Sequence, residues 1–135
     1  MIESKQKILV VDDEEQLALA LKIRLQTQGY RVVTAQNGQQ AIERALAEKP
    51  ELIILDVLMP VMDGYTCLRE LNTRFGRDKI PIIILTARER MKDLFELEGI
   101  EDYVVKPFDH EDLLVRIDRI FKRRAGKASA STPRA

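Results

Sequence analysis

The sequence predicts an α/β fold, a doubly wound parallel sheet with helices on both faces. Three observations predict it. Short β-branched runs alternate with longer segments of helical period, the signature of βα repeats. The runs Ile8-Leu9-Val10-Val11, Leu52-Ile53-Ile54-Leu55 and Ile82-Ile83-Ile84-Leu85 are apolar throughout, as strands covered on both faces should be. With the shorter run Tyr103-Val104-Val105, these strands close on Asp12-Asp13, Asp56, Thr86-Ala87 and Lys106-Pro107, and in an open parallel sheet such C-terminal ends form one ligand-binding edge.

Five strands are expected at about 7–12, 31–35, 52–56, 81–86 and 102–105. Arg31-Val32-Val33-Thr34-Ala35 is more mixed than the others and reads as an edge strand. The first helix, about 14–28, carries Leu17, Leu21 and Leu25 at i, i+4, i+8, with Ala18 and Ala20 allowing close approach to the sheet. The second follows Asn37, with Gln40 as its capping partner. The third begins after Asp63 and the fourth spans roughly 88–98. The fifth follows Asp109, with Asp112 at the third position, and buries Leu113, Leu114, Ile117, Ile120 and Phe121. Gly29, Gly76, Gly99 and Gly126 each stand where a left-handed helix cap is wanted. Residues 125–135, small and polar, read as a disordered tail or the start of a linker.

A chain of 135 residues holds one domain with a full core. Lys+Arg and Asp+Glu both number 22, so the overall charge points neither to nucleic acid nor to an anionic membrane. The one cysteine, Cys67, excludes an internal disulfide and fits a reducing cytoplasm; it reads as a small apolar filler in a helix. No apolar stretch approaches the ~18 residues of a membrane span. Met1-Ile2-Glu3-Ser4-Lys5 lacks an apolar segment behind it, so no signal peptide is expected.

The chemistry lies at the strand ends. Asp12, Asp13 and Asp56 would repel one another unless a divalent cation sat among them. A carboxylate, a metal, a hydroxyl and an ammonium are the parts that receive and hold a phosphoryl group. A carboxylate is a poor nucleophile and needs an activated donor with its charge neutralised. A lysine serves as a point charge for phosphate, and its long stem reaches across from a neighbouring strand. Plainer readings exist for each residue: Asp12-Asp13-Glu14-Glu15 complements a helix dipole, Thr86 caps a helix, Lys106 is solvated and Tyr103 packs at a strand edge. Two strands ending in acid at one edge argue for a site. Lys106 precedes Pro107, and an X-Pro bond takes the cis form for only ~0.5–1 kcal/mol. His110, the one histidine, reads as exposed and structural, and Lys122-Arg123-Arg124 as complementing a helix C-terminus.

Taken in order, Ile8-Leu9-Val10-Val11-Asp12-Asp13-Glu14, Leu55-Asp56-Val57-Leu58-Met59-Pro60 with Asp63-Gly64, Leu85-Thr86-Ala87-Arg88 and Asp102-Tyr103-Val104-Val105-Lys106-Pro107-Phe108 resemble the receiver domain of bacterial two-component response regulators. The similarity covers about residues 6–124, so residues 1–124 are expected to form the receiver domain. It implies a flavodoxin-like (βα)5 sheet of strand order 2-1-3-4-5. It also implies Asp56 as phosphoacceptor, Mg2+ (or Mn2+ in its place) held by Asp12, Asp13, Asp56 and the Leu58 carbonyl, and Thr86, the Ala87 amide and Lys106 on the phosphoryl group. Tyr103 would be the switch aromatic, and the Lys106–Pro107 bond would be cis and aim the lysine. Leu58 and Arg88 would set the phosphoryl lifetime: an apolar Leu58 cannot orient an attacking water, and Arg88 would shield the group, giving a long-lived phosphoaspartate. The implied partners are a sensor histidine kinase or phosphotransfer protein and a downstream protein that reads the fourth helix, fifth strand and fifth helix, with no nucleic acid or membrane contact and a monomeric or weakly dimeric state. Such a domain is not an enzyme beyond its own phosphorylation and dephosphorylation.

The chain departs from the family between Thr86 and Lys106, where it is a little shorter and reads Gly99-Ile100-Glu101-Asp102-Tyr103. A short, displaced or mobile fourth helix is expected. Other functions fit less well. A haloacid-dehalogenase-type phosphohydrolase ends its first strand in Asp-x-Asp, where this chain has Asp12-Asp13-Glu14, and carries a cap domain. A nucleotide-binding fold would need a phosphate-cradling glycine loop, and none is present. A phosphorylation-independent binder has no need of all five pocket residues.

Overall fold

A computed structural model describes residues 6–56, 64–76, 79–87 and 91–131, with side chains to residue 125. The chain runs β1 (Lys7–Val11), α1 (Glu15–Thr27), β2 (Arg31–Ala35), α2 (Gly38–Glu48), β3 (Leu52–Leu55), α3 (Gly64–Phe75), β4 (Ile82–Thr86), α4 (Lys92–Leu97), β5 (Asp102–Val105) and α5 (His110–Ser131). The strands form one parallel sheet of order β2-β1-β3-β4-β5, so the mixed strand β2 does lie at an edge. Strand alternation divides the core in two. Leu9, Val11, Ile53, Leu55, Ile82 and Ile84 point to the layer of α2, α3 and α4, and Ile8, Val10, Leu52, Ile54, Ile83 and Leu85 to the layer of α1 and α5. No described helix is long and apolar enough to cross a membrane.

The helix ends follow local chemistry. Asn37 caps α2, accepting from the Gln40 amide at 2.9 Å, while Gln40 Oε1 accepts from the amide of Gln36, one residue before the cap. At α5, Asp109 Oδ1 accepts from the Glu111 amide at 3.0 Å, and Asp112 turns instead to Arg116. Gly29, Gly76 and Gly99 adopt positive φ.

Five expectations need correction. The buried stripe of α1 is Ala18, Leu21 and Leu25, at i, i+3, i+7, while Leu17 is 43% exposed and Ala20 is exposed. Apolar residues occupy every second position from Leu17 to Leu25, so the sequence alone does not choose between two adjacent faces. The backbone of α5 stays helical to Ser131, past the expected tail boundary at 124. Ala125, Lys127, Ala128 and Ala130 are strong helix formers, and no proline intervenes before Pro133. Gly126 therefore lies inside the helix, and Lys122-Arg123-Arg124 do not end it: Lys122 pairs with Asp118, and Arg123 and Arg124 with Glu101. His110 is part-buried, its ring centroid 5.0 Å from that of Phe108, with Nδ1 out of solvent. The fourth helix has only six residues, as its shortened surroundings suggested.

Candidate functional site at the carboxyl edge of the sheet

Asp12 and Asp56 each continue a ladder one step past a strand. The Asp12 amide donates to the Ala35 carbonyl at 3.1 Å, and the Asp56 amide to the Val11 carbonyl at 3.0 Å. Because Val11 pairs with Leu55, the two acids come out side by side on adjacent strands. Thr86 ends β4 next to Val105, and the Lys106 amide donates to the Thr86 carbonyl at 2.7 Å. Four strands thus deliver the site from sequence positions far apart. Asp12 is 5% exposed, Asp56 6% and Thr86 0%, while Asp13 and Ala87 are open to solvent.

Three buried or crowded acids need a cation. Lys106 Nζ lies 3.1 Å from Asp12 Oδ2, 3.6 Å from Asp56 Oδ2 and 4.0 Å from Glu14 Oε1. Burial alone pushes this ammonium down. Asp56, then Asp12 with its hydrogen bond, and Glu14 outweigh burial and hold it above the usual lysine range. The Lys106–Pro107 peptide is cis. Asp12 Oδ1 accepts from the Glu14 amide at 3.0 Å, which leaves Oδ2 for the lysine.

One oxygen from each of Asp12, Asp13 and Asp56 lies within 4.8 Å of the others. Oxygens on opposite sides of an octahedral Mg2+ are about 4.2 Å apart, so this all-carboxylate set fits a small hard cation with little closure. Tyr103, buried on β5, turns to the α4 layer, its ring centroid 6.1 Å from that of Phe95. Leu58 and Arg88, the expected carbonyl ligand and lifetime residues, lie outside the described residues. Beside Asp12 and Lys106 a cavity of about 410 Å3 opens between α1 and the β5–α5 turn, walled by Leu17, Leu21, Leu85, Pro107, Phe108 and His110.

Sequence reasoning did not single out Glu14, which contacts both Asp12 and Lys106. Its signal was its place directly after the acid pair, where a helix-dipole role also explained it. Phe95 was missed too, because nothing in a six-residue helix marks which side chain meets a distant strand.

Known proteins resemble this chain in sequence and fold. Residues 8–118 match the response regulator receiver domain family. The chain is 44% identical over 133 residues to the "Probable transcriptional regulator ycf27" of Pyropia yezoensis, covering 97% of this chain and 53% of that protein. It is 39% identical over 127 residues to the alkaline phosphatase synthesis transcriptional regulatory protein PhoP of Bacillus subtilis, covering 93% of this chain and 52% of that protein. The chain thus spans about half the length of the curated relatives it matches. Among solved structures, the receiver domain of the Francisella response regulator 1452 superposes with a TM-score of 0.80 at 29% identity, covering 89% of this chain and 99% of that one. The response regulator TrrA of Thermotoga maritima, solved in complex with Mg2+ and BeF, superposes with a TM-score of 0.77 at 32% identity, covering 85% and 98%. With the 2-1-3-4-5 sheet and an acid cluster at its carboxyl edge, the chain belongs to the response regulator receiver domain family.

Proposed function

We propose that Asp56 is the phosphoacceptor of a two-component signalling pathway. The observation that carries this is the convergence of the Asp12, Asp13 and Asp56 carboxylates on one point, with Lys106 Nζ 3.6 Å from Asp56. The donor is a phosphohistidine on a sensor kinase or phosphotransfer protein. An Asp56 oxygen attacks phosphorus, the new P–O bond replaces the P–N bond, and the bonding pair stays on the imidazole nitrogen, which takes up a proton.

Asp12, Asp13 and Asp56, with the Leu58 carbonyl, would hold Mg2+, or Mn2+ in its place. When bound, that ion supplies charge neutralisation between the attacking carboxylate and the incoming phosphoryl oxygens. Lys106 exchanges one anionic partner for another, leaving the Asp56 carboxylate for the phosphoryl group it becomes. The Thr86 hydroxyl turns toward a phosphoryl oxygen beside the Ala87 amide, and Tyr103 fills the space vacated. Leu58 and Arg88 prolong the phosphoaspartate. The only reactions catalysed are the domain's own phosphorylation and its reversal.

Residues 1–124 constitute the receiver. A protein partner reads the surface of α4, β5 and α5. Nucleic acid and membrane play no part at this domain, which works in the cytoplasm as a monomer or weak homodimer. Phosphorylation shifts a two-state population and need favour one state by only a few kcal/mol.

Intact-protein mass after incubation with a small phosphodonor tests this. The expected result is a gain of one phosphoryl group that requires Mg2+ and is absent in Asp56→Asn. An equal gain in that variant would refute the assignment of Asp56.

A further inference from the structure

Thr86 shares a sheet face with Tyr103. Alternation puts Ile84 and Thr86 on one side of β4, and Ile84 is in register with Tyr103. From Tyr103 a line of rings leads outward. Its centroid is 6.1 Å from that of Phe95, which is fully buried and sits edge-on to Tyr65 at 5.6 Å and 80°. Tyr65 lies in the first turn of α3, and its hydroxyl donates to Glu98 Oε2 at 3.0 Å.

Glu98 is the C-cap of α4, and this end of the helix is clasped. The Glu98 carbonyl accepts from Asn72 Nδ2 at 2.8 Å and from Lys79 Nζ at 3.0 Å. Gly99 follows with φ 82°, and a Cβ there would meet the Lys79 ammonium. At the opposite end the N-cap Met91 makes no side-chain capping bond. A six-residue helix fixed at one end and, among the described residues, without a side-chain cap at the other is built to turn about the fixed end.

Rings in close-packed contact cannot move singly: displacing one displaces the next. The Tyr65 hydroxyl converts such a displacement into the making or breaking of a hydrogen bond to a carboxylate, which biases an equilibrium roughly tenfold or more. We propose that Tyr65 is a second switch aromatic: the state of the Asp56 site passes through Tyr103 and Phe95 and is registered on α3 at the Tyr65–Glu98 bond, about which α4 pivots. This rests on Asp56 being the phosphoacceptor. It extends the state-dependent surface onto the open groove of α3 lined by Tyr65, Thr66, Arg69, Glu70 and Thr73.

The test combines intact mass with amide NMR of the chain, before and after treatment with acetyl phosphate and Mg2+. In wild type, phosphorylation is expected to shift the Tyr65 and Glu98 amides together with that of Tyr103. In Tyr65→Phe the phosphoryl gain and the Tyr103 response persist, while the Glu98 response falls by about threefold or more. In Phe95→Leu, Tyr103 responds and both Tyr65 and Glu98 stay still. Should Phe95→Leu not fold, Tyr65→Phe, which loses one oxygen and keeps the ring, decides alone. A phosphorylated wild type whose Tyr103 shifts without Tyr65 or Glu98 overturns the proposal, as does an undiminished Glu98 response in Tyr65→Phe. Absence of a phosphoryl gain in wild type, visible by mass before any shift is measured, removes the Asp56 reading and this proposal with it.

Discussion

Replacing Lys106 by methionine keeps most of the stem's packing and deletes the ammonium that bridges Asp12 and Asp56. All three side chains are largely out of water, at 16%, 7% and 7% side-chain exposure. Removing one partner of a buried ion pair costs about 3–5 kcal/mol, and the residual exposure puts this site at the lower end, near 3 kcal/mol. With an unfolding entropy of ~2.1 cal/mol/K per residue over 135 residues, that corresponds to a Tm lower by about 10 °C. The measurement is a thermal melt at neutral pH in chelator, repeated with Mg2+. The deficit should shrink with Mg2+, because a divalent cation among Asp12, Asp13 and Asp56 replaces the missing charge. The pH dependence has a definite sign. The folded-state pKa of Lys106 is raised above its ordinary 10.5, so its stabilisation is fully present below pH 10.5 and is lost as pH rises through the folded value. On the alkaline side, wild type and Lys106→Met should therefore converge only above the ordinary lysine range. A Tm within about 2 °C of wild type in chelator, less than 1 kcal/mol on the same scale, would refute the bridging role.

The remaining predictions concern the scaffold. Leu25→Ala, at a fully buried position of α1, should cost about 2–5 kcal/mol in urea unfolding, whereas Leu17→Ala should stay within about 0.5 kcal/mol; a cost at Leu17 as large as at Leu25 would restore the stripe expected from sequence. Asn37→Ala removes the α2 cap and should lower stability by about 1 kcal/mol, read as a shift of the urea midpoint at unchanged slope. Gly99→Ala places a side chain at positive φ against Lys79 and should cost about 1–2 kcal/mol, with faster amide exchange in α4.

Much of this was legible in the sequence for a physical reason. Strands buried on both faces must be apolar throughout, so their ends stand out wherever a charge first appears, at Asp12, Asp56 and Lys106. Parallel βα repeats then place those ends together without any knowledge of contacts. The illegible parts depend on tertiary choice. In α1 the apolar residues satisfy two adjacent faces, and only the sheet selects Ala18 and Leu21 over Leu17 and Ala20. In α5 the polar composition past residue 124 suggested disorder, yet alanine and lysine carry a helix without an apolar stripe. The acidic neighbours of His110 suggested exposure, but its ring packs on Phe108 at the helix start. The Lys106–Asp12 pair spans 94 residues, and its closeness follows from strand order rather than from any local signal.

The register of β1 and β3 also decides where this chain tolerates changes of length. Asp56 stands one step past Leu55, which is locked opposite Val11. Inserting a single residue within Leu52–Leu55 would carry the carboxylate about 3.3 Å along the edge and turn it to the other face of the sheet. The segment between Thr86 and Asp102 has no such vernier, because β4 and β5 are held in register by their own ladder whatever lies between them. Lineages of this fold should therefore accumulate insertions and deletions around α4, part of the surface proposed to meet a partner, while the spacing inside each strand stays fixed by the geometry of the acids. Partner choice can drift there without retuning the chemistry.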